Sequence, residues 1–253
     1  MPSKRPRGEP YGQDVGARAE PATQTVLTSV RELIVTGGVP PGMRLRAEAI
    51  AQDLGVSRTP VRSALAVLLA EGLVSYGVNR GYTVRDITLP DILDAIEARA
   101  VLESRSCGLS VDYGWTAEEL ERLHGTVDAG ERIVAAGEWS EAIERDWYRA
   151  NRDFHSMIIR ASRNATIRNA VRVSLIYPVF GDIARICPAA ASRVPPRFRA
   201  VPATPPEHIR ASQADHRAIF AAIEAEAAEV AEKAMLDHVL ASKHRLATIA
   251  TRR

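Results

Sequence analysis

The twelve residues Leu54-Gly55-Val56-Ser57-Arg58-Thr59-Pro60-Val61-Arg62-Ser63-Ala64-Leu65 constrain this chain more than any other stretch. A short helix ends at Gly55, a residue that turns left-handed without steric cost. Ser57 then stands where a side-chain oxygen can accept from backbone N–H groups two or three residues on. Pro60 fits the first turn of the helix that follows and stiffens it. Arg58 and Arg62 are four apart, so their guanidinium groups share one face of that helix, with Thr59 beside Arg58. Hydroxyls, backbone N–H groups and two cationic forks thus gather at one exposed helix N-terminus. Such a surface suits phosphates and the base edges of a DNA major groove.

The flanking pattern builds a small domain around this turn. From Thr23, the residues Val26, Leu27, Val30, Leu33 and Ile34 repeat as one apolar helical face that stops at Gly37-Gly38. Pro40-Pro41-Gly42 makes a turn. A second helix over 47–54 is expected to bury Ile50 and Leu54, and a third over 58–71 to bury Val61, Leu65, Leu68 and Leu69, with Gly72 as its stop. Residues 73–76 and 82–85 read as two short strands around a tight loop, Gly77-Val78-Asn79-Arg80-Gly81. Three helices and a hairpin make the winged helix-turn-helix plan. On the wing, Arg80 is placed to enter a minor groove and Gly81 to let the backbone approach phosphates. Residues 1–22, rich in Pro, Gly and charge without helical period, read as a disordered tail.

Charge agrees with this division. Residues 1–85 hold eleven Lys/Arg against seven Asp/Glu, whereas the remainder holds twenty-two against twenty-four. A basic front and a faintly acidic back fit a polyanion-binding module joined to something else. Two cysteines, Cys107 and Cys187, make neither a disulfide framework nor a thiolate metal site. The start lacks the apolar run of a secretory signal, and no run approaches the roughly 20 residues that span a bilayer. A cytoplasmic protein without a membrane partner is expected.

Behind Pro90, which suits a first helical turn, the chain reads as helix throughout, over about 90–111, 116–136, 139–161, 165–184, 208–225 and 228–250. The expected fold is therefore all-α with a small β-hairpin wing: an N-terminal winged helix-turn-helix at 23–86 and a C-terminal antiparallel helical bundle at 90–250. One segment breaks the pattern. Residues 187–207 carry prolines at 188, 195, 196, 202, 205 and 206, a density that predicts a long, disordered or loosely ordered loop.

Six histidines occur, at 124, 155, 208, 216, 238 and 244, and any one of them alone reads as a surface or satisfied core residue. Asn151 and His155, four apart beside Phe154 and Ile158, share a helix face; His216 and His238 border apolar stripes. On one unbroken helix, His216 and His238 would stand about 33 Å apart. They meet only if the chain folds back near 224–228, where neither Gly nor Pro marks a break.

At this point the chain resembles a known family. Residues 24–86 are similar to the N-terminal domain of GntR-type bacterial transcription regulators. The matching pieces are Pro41-Gly42-Met43-Arg44-Leu45, Leu54 to Arg62, Glu71-Gly72-Leu73-Val74 and Asn79-Arg80-Gly81. The resemblance implies DNA-contacting positions at Ser57, Arg58, Thr59, Arg62 and Gly81, on a palindromic operator read by a homodimer. Members often carry arginine where this chain has Glu48; Arg44 or Arg46 would compensate. Residues 90–250 resemble the FCD effector domain of the FadR-like subfamily, through Ile96 to Glu103, Asn151-Arg152-Asp153-Phe154-His155, Asp215 to Ile219 and Met235 to His238.

This second resemblance implies a divalent metal on Asn151, His155, His216 and His238, with zinc expected and nickel or manganese as alternatives. It also implies a small carboxylate effector, with Arg99 to hold its acid group. The chain departs at Asn151, an amide where an aspartate is frequent, so the site carries one negative charge fewer and an anionic effector matters more. The resulting reading is a non-enzymatic, ligand-responsive regulator, a repressor released by its effector. Two other readings stay open: a helical half that serves only as a metal-free dimerisation scaffold, and a metal-dependent hydrolase in which three histidines activate water.

Overall fold

Helix α1, Gly16–Val35, begins ahead of the apolar stripe and lays Val26, Leu27, Val30, Ile34 and Val35 into the first core. The computed structural model describes residues 16–178 and 181–251. Most of the expected N-terminal tail lies outside these residues, but its last part, from Gly16, is helix and not disordered. Strand β1 is only Arg44–Leu45; helix α2, Ala47–Asp53, and helix α3, Arg58–Ala70, follow. Strands β2, Val74–Gly77, and β3, Gly81–Val84, form the wing. β3 lies between β1 and β2, antiparallel to both, with Tyr76 opposite Tyr82 and Arg44 opposite Thr83. A two-residue strand with one buried side chain carries too little alternation to be read from the sequence, so β1 was not among the expected elements.

Three apolar positions turn outward against expectation: Leu33 is 46% exposed and Leu54 and Leu69 are each 38% exposed. Each lies at the edge of its helical stripe, while Val35, Ala51 and Ala64 fill the interior instead. Arg31 forks onto Glu71 at 2.7–3.1 Å and ties α1 to the end of α3.

Thr88 opens the second half with a reciprocal cap: its hydroxyl accepts from the Asp91 N–H while Asp91 accepts from the Thr88 N–H. Helix α4, Leu89–Tyr113, packs most extensively against the last helix, α11, Ala228–Thr251. Between them come α5, Ala117–Ala135, α6, Glu141–Ala161, α7, Ala165–Val173, and α10, Glu207–Glu224. Their shared core includes Ile92, Ile96, Leu123, Phe154, Ile158, Ile219 and Met235, all essentially inaccessible. The reversal between α10 and α11 is made by Glu226 at φ 55°, a left-handed residue that is not glycine.

Two expectations fail between α7 and α10. Helix α7 stops at Val173 instead of running to 184. Pro178 biases the residue before it away from helix, and residues 174–178 and 181–182 are irregular. The proline-rich segment is packed rather than loose. After the short α8, Ile183–Ile186, it holds α9, Pro188–Ala191, and a 3₁₀ turn, Pro196–Phe198. Cys187, Ala190 and Val194 enter the core, and Pro188 opens α9 at a position where no N–H is needed. Apolar residues spaced between the prolines anchor the segment, which the proline count alone obscures.

That segment also meets the winged half. A Cβ on Gly37 would stand 2.5 Å from Cγ of Pro188, so only glycine admits this contact. Ile176 packs against both cores, as does Ile87 in the connection between the halves.

Candidate functional site

Every DNA-contact candidate except Gly81 is exposed. Ser57 is the N-cap of α3, with Arg58, Thr59 and Arg62 in its first turns. The Ser57 hydroxyl makes no capping hydrogen bond, contrary to expectation, so it is left for another acceptor or donor. Arg46 is the N-cap of α2, and Arg44 sits in β1 with its guanidinium 3.6 Å from where a Cβ on Gly81 would lie. Gly81 has φ +72° and Asn79 φ 64°, so the wing tip turns through left-handed backbone on both sides of exposed Arg80. Glu48 accepts from Arg58 at 3.0 Å across the surface. A backbone N–H bond at the start of α2, with Arg58 and Arg62 nearby, holds its carboxyl below the usual range.

The second site is buried and drawn from four helices. α6 supplies His155, α10 supplies His216 and α11 supplies His238; one ligand-capable nitrogen of each lies within 4.8 Å of the others. Nε2 of His155 and Nε2 of His238 face each other at 3.2 Å. Each outer nitrogen is tied to a carboxylate: His155 Nδ1 to Glu103 at 2.6 Å, and His238 Nδ1 to Asp215 at 3.1 Å. An Nδ1–H donated to a carboxylate fixes the tautomer whose Nε2 carries a lone pair. Two lone pairs then point at one another, and His216 Nε2 is buried with no hydrogen-bond partner among the described residues. His216 itself is clamped by Phe154 at 4.4 Å and, nearly parallel, by Trp147 at 6.0 Å.

Electrostatics keep His216 and His238 available as neutral donors. Burial pushes His216 well below the ordinary histidine range, with His238 and His155 adding repulsion. Burial also lowers His238, partly opposed by the hydrogen bond to Asp215. Burial alone would raise Glu103, but Arg99 and His155 overrule it and hold the carboxyl at about 2. A cation shared among three inward nitrogens resolves the facing lone pairs, so the donor set fits a divalent metal of the kind imidazoles bind.

Beside this centre lies a cavity of about 390 Å³, lined by Arg99, Asn151, His155, His238 and residues farther along the same helices. Asn151 is one turn ahead of His155 and faces that space. Arg99 donates to Glu103 at 2.6 Å and, through Nη1, to the hydroxyl of Tyr177 at 2.6 Å. The structure thus brings the three candidate histidines together, and Asn151 and Arg99 line the adjoining cavity with His155 and His238. Sequence reasoning missed Glu103, Asp215 and Tyr177. Glu103 is signalled by its place four residues after Arg99, and Asp215 by adjacency to His216; nothing local signals Tyr177.

The comparisons with known proteins bear on both halves. The model of the bacterial regulatory proteins, gntR family, matches residues 22–84, and the FCD domain model matches residues 94–241, more than half of the chain. The chain belongs to the GntR family, with an FCD domain. This makes it a DNA-binding transcription regulator. Among solved structures, McbR/YncC of E. coli aligns with a TM-score of 0.62 at 20% identity, over 90% of this chain and 97% of that one. A putative GntR transcriptional regulator from Rhodococcus sp. RHA1 aligns with a TM-score of 0.55 at 22% identity, over 91% and 99%. Lar, described as controlling the agr system of Listeria monocytogenes, aligns with a TM-score of 0.55 at 20% identity, over 90% and 97%. These likenesses show the fold. No curated protein is significantly similar in sequence. No helix among the described residues is long and apolar enough to cross a membrane.

Proposed function

We propose that this GntR-family chain is a repressor that leaves its operator when a small carboxylate binds beside a divalent metal in the helical half. The observation that carries the reading is the set of three buried imidazoles whose inner nitrogens converge while two outer ones are tied to carboxylates. Asn151, His155, His216 and His238 hold the ion, zinc first and nickel or manganese next. A bound ion of this kind supplies a Lewis-acid position that a carboxylate oxygen completes. Arg99, already oriented by Glu103, anchors the acid.

The same arginine offers a route to the DNA-binding half. Tyr177 is held by Arg99, and its neighbour Ile176 packs against the winged core. An acid that draws Arg99 away releases Tyr177 and loosens that contact, so ligand and operator favour different domain arrangements. On DNA, Ser57, Arg58, Thr59 and Arg62 enter the major groove, Arg80 and Gly81 follow the wing, and Arg44 and Arg46 reach phosphates. Two copies read a palindrome.

The test pairs two measurements on the full chain. Metal-stripped protein titrated calorimetrically with Zn²⁺, Ni²⁺ and Mn²⁺ binds one ion per chain, and His155→Ala removes binding. Random-site selection by gel shift yields a palindrome whose binding weakens when carboxylates are added. No sequence-selective binding sinks the regulator reading; selective binding without metal uptake leaves the helical half a scaffold.

A further inference from the structure

The cavity does not end at the histidines. On α6, Tyr148 lies seven residues before His155; on α10, His208 lies seven before Asp215; on α11, Arg245 lies seven after His238. All six residues line the same space. Seven residues are close to two helical turns, so each pair shares a face with its members about 10.5 Å apart along the axis. α10 and α11 run in opposite directions, which brings His208 and Arg245 to the same end. Asp182 confirms the grouping: it takes both prongs of Arg245, at 3.0 and 2.7 Å, and lies 3.9 Å from His208.

This far end is polar, charge-balanced and unfinished. The Asp182–Arg245 pair cancels its own charge. His208 Nε2 is buried with no hydrogen-bond partner among the described residues, since Asp182 is too distant to bond it. The hydroxyl of Tyr148 also bonds to nothing described, although Asp182 and Arg245 stand near it. Burial first, then Arg245, drives His208 down to about 4, so its ring is neutral at pH 7. Leaving His208 Nε2 dry and unbonded is costly, and a ligand that bonds it recovers that cost.

We propose that Tyr148, His208 and Arg245 form a second subsite that binds the uncharged, hydrogen-bonding end of an elongated acid whose carboxylate sits at the histidine centre. The inference rests on the acid-binding reading above and adds length and end chemistry to it. A hydroxyl or primary amide satisfies both open groups: it donates to His208 Nε2 and accepts from Tyr148 or from an unused Arg245 N–H. A second carboxylate placed between Tyr148 and His208 meets Asp182, which already holds both prongs of Arg245. The loop that carries Asp182 also carries Tyr177, so such a ligand touches it at both ends.

Calorimetry on the full chain with Zn²⁺ present tests this with three series of linear acids, two to eight carbons long: plain alkanoates, ω-hydroxy acids and ω-amides. At one length, the hydroxyl or amide binds about tenfold tighter than the alkanoate of equal length. Tyr148→Phe and His208→Leu bring that preference within about threefold, while acetate affinity, read at the other end, is unchanged and reports an intact fold. A preference absent at every length, or surviving both substitutions, overturns the subsite. So does a matched dicarboxylate that binds tighter than the hydroxy acid. Failure of every acid to bind, acetate included, instead sinks the acid-sensor reading itself.

Discussion

The DNA-reading face and the buried histidine centre use opposite physics. The first is one continuous stretch of chain whose working side chains stand in water; only its ends are organised, by a glycine turn and a wing. The second gathers residues from four helices, and they depend on one another: Arg99 on Glu103, Glu103 on His155, and His238 on the half-buried Asp215. An exposed site is replaceable one residue at a time, with changes felt in binding and little in stability. A buried polar network fails as a unit, because each loss strands its neighbours without solvent.

The largest effect expected from this contrast is at Glu103. Glu103→Ala leaves Arg99 and His155 buried without their carboxylate and costs about 3–5 kcal/mol in denaturant unfolding. A loss under about 1 kcal/mol breaks the picture of a mutually dependent network. Next is pH. All six histidines lie at position 124 or beyond, so acid sensitivity of this kind belongs to the helical half. His208 titrates at about 4 when folded, against about 6.5 unfolded. The native state therefore binds fewer protons between those values, and stability present above pH 6.5 is lost as pH falls toward 4. His208 alone contributes up to roughly 3 kcal/mol, and His216 and His238 shift the same way. Thermal melts of metal-free protein from pH 7 to 4 measure it; a flat profile contradicts the burial argument.

Smaller effects are expected on the exposed side. Arg62→Ala lowers specific operator affinity by about 1–3 kcal/mol in fluorescence anisotropy and leaves the melting temperature within error. Glu48→Gln, smallest of the four, raises DNA affinity a few-fold, because Arg58 no longer has to leave a carboxylate to reach the duplex. Unchanged or weaker binding by that variant shows that Glu48 positions Arg58 rather than restraining it.

Legibility from sequence divides along the same line. The winged half is readable because its information is local: Gly55, Ser57 and the arginine pair carry their meaning in order, and the departures are edge positions such as Leu33 and Leu69, the two-residue β1, and a Ser57 hydroxyl that makes no capping bond. In the helical half, Asn151 with His155 is visible as a shared face, but the meeting of His216 with His238 depends on Glu226 adopting left-handed backbone, which its side chain does not advertise. Pro178 did mark the early end of α7, yet the apolar run before it masked the signal. The proline-rich segment misleads most. Prolines forbid long helices, and they do not forbid one-turn helices anchored by Ala190 and Val194.

The left-handed turn at Glu226 has a bearing on how this protein tolerates insertions. Each residue of an α-helix rotates its successors by about 100°. One residue gained or lost between that turn and His238 swings the imidazole off the shared centre, and carries Arg245 away with it. The same change inside the turns and loops is absorbed by the connection. Length variation among descendants of this chain should therefore collect between the helices, while the stretches 148–155, 208–216 and 238–245 keep their residue counts even where nearly every side chain around them has changed.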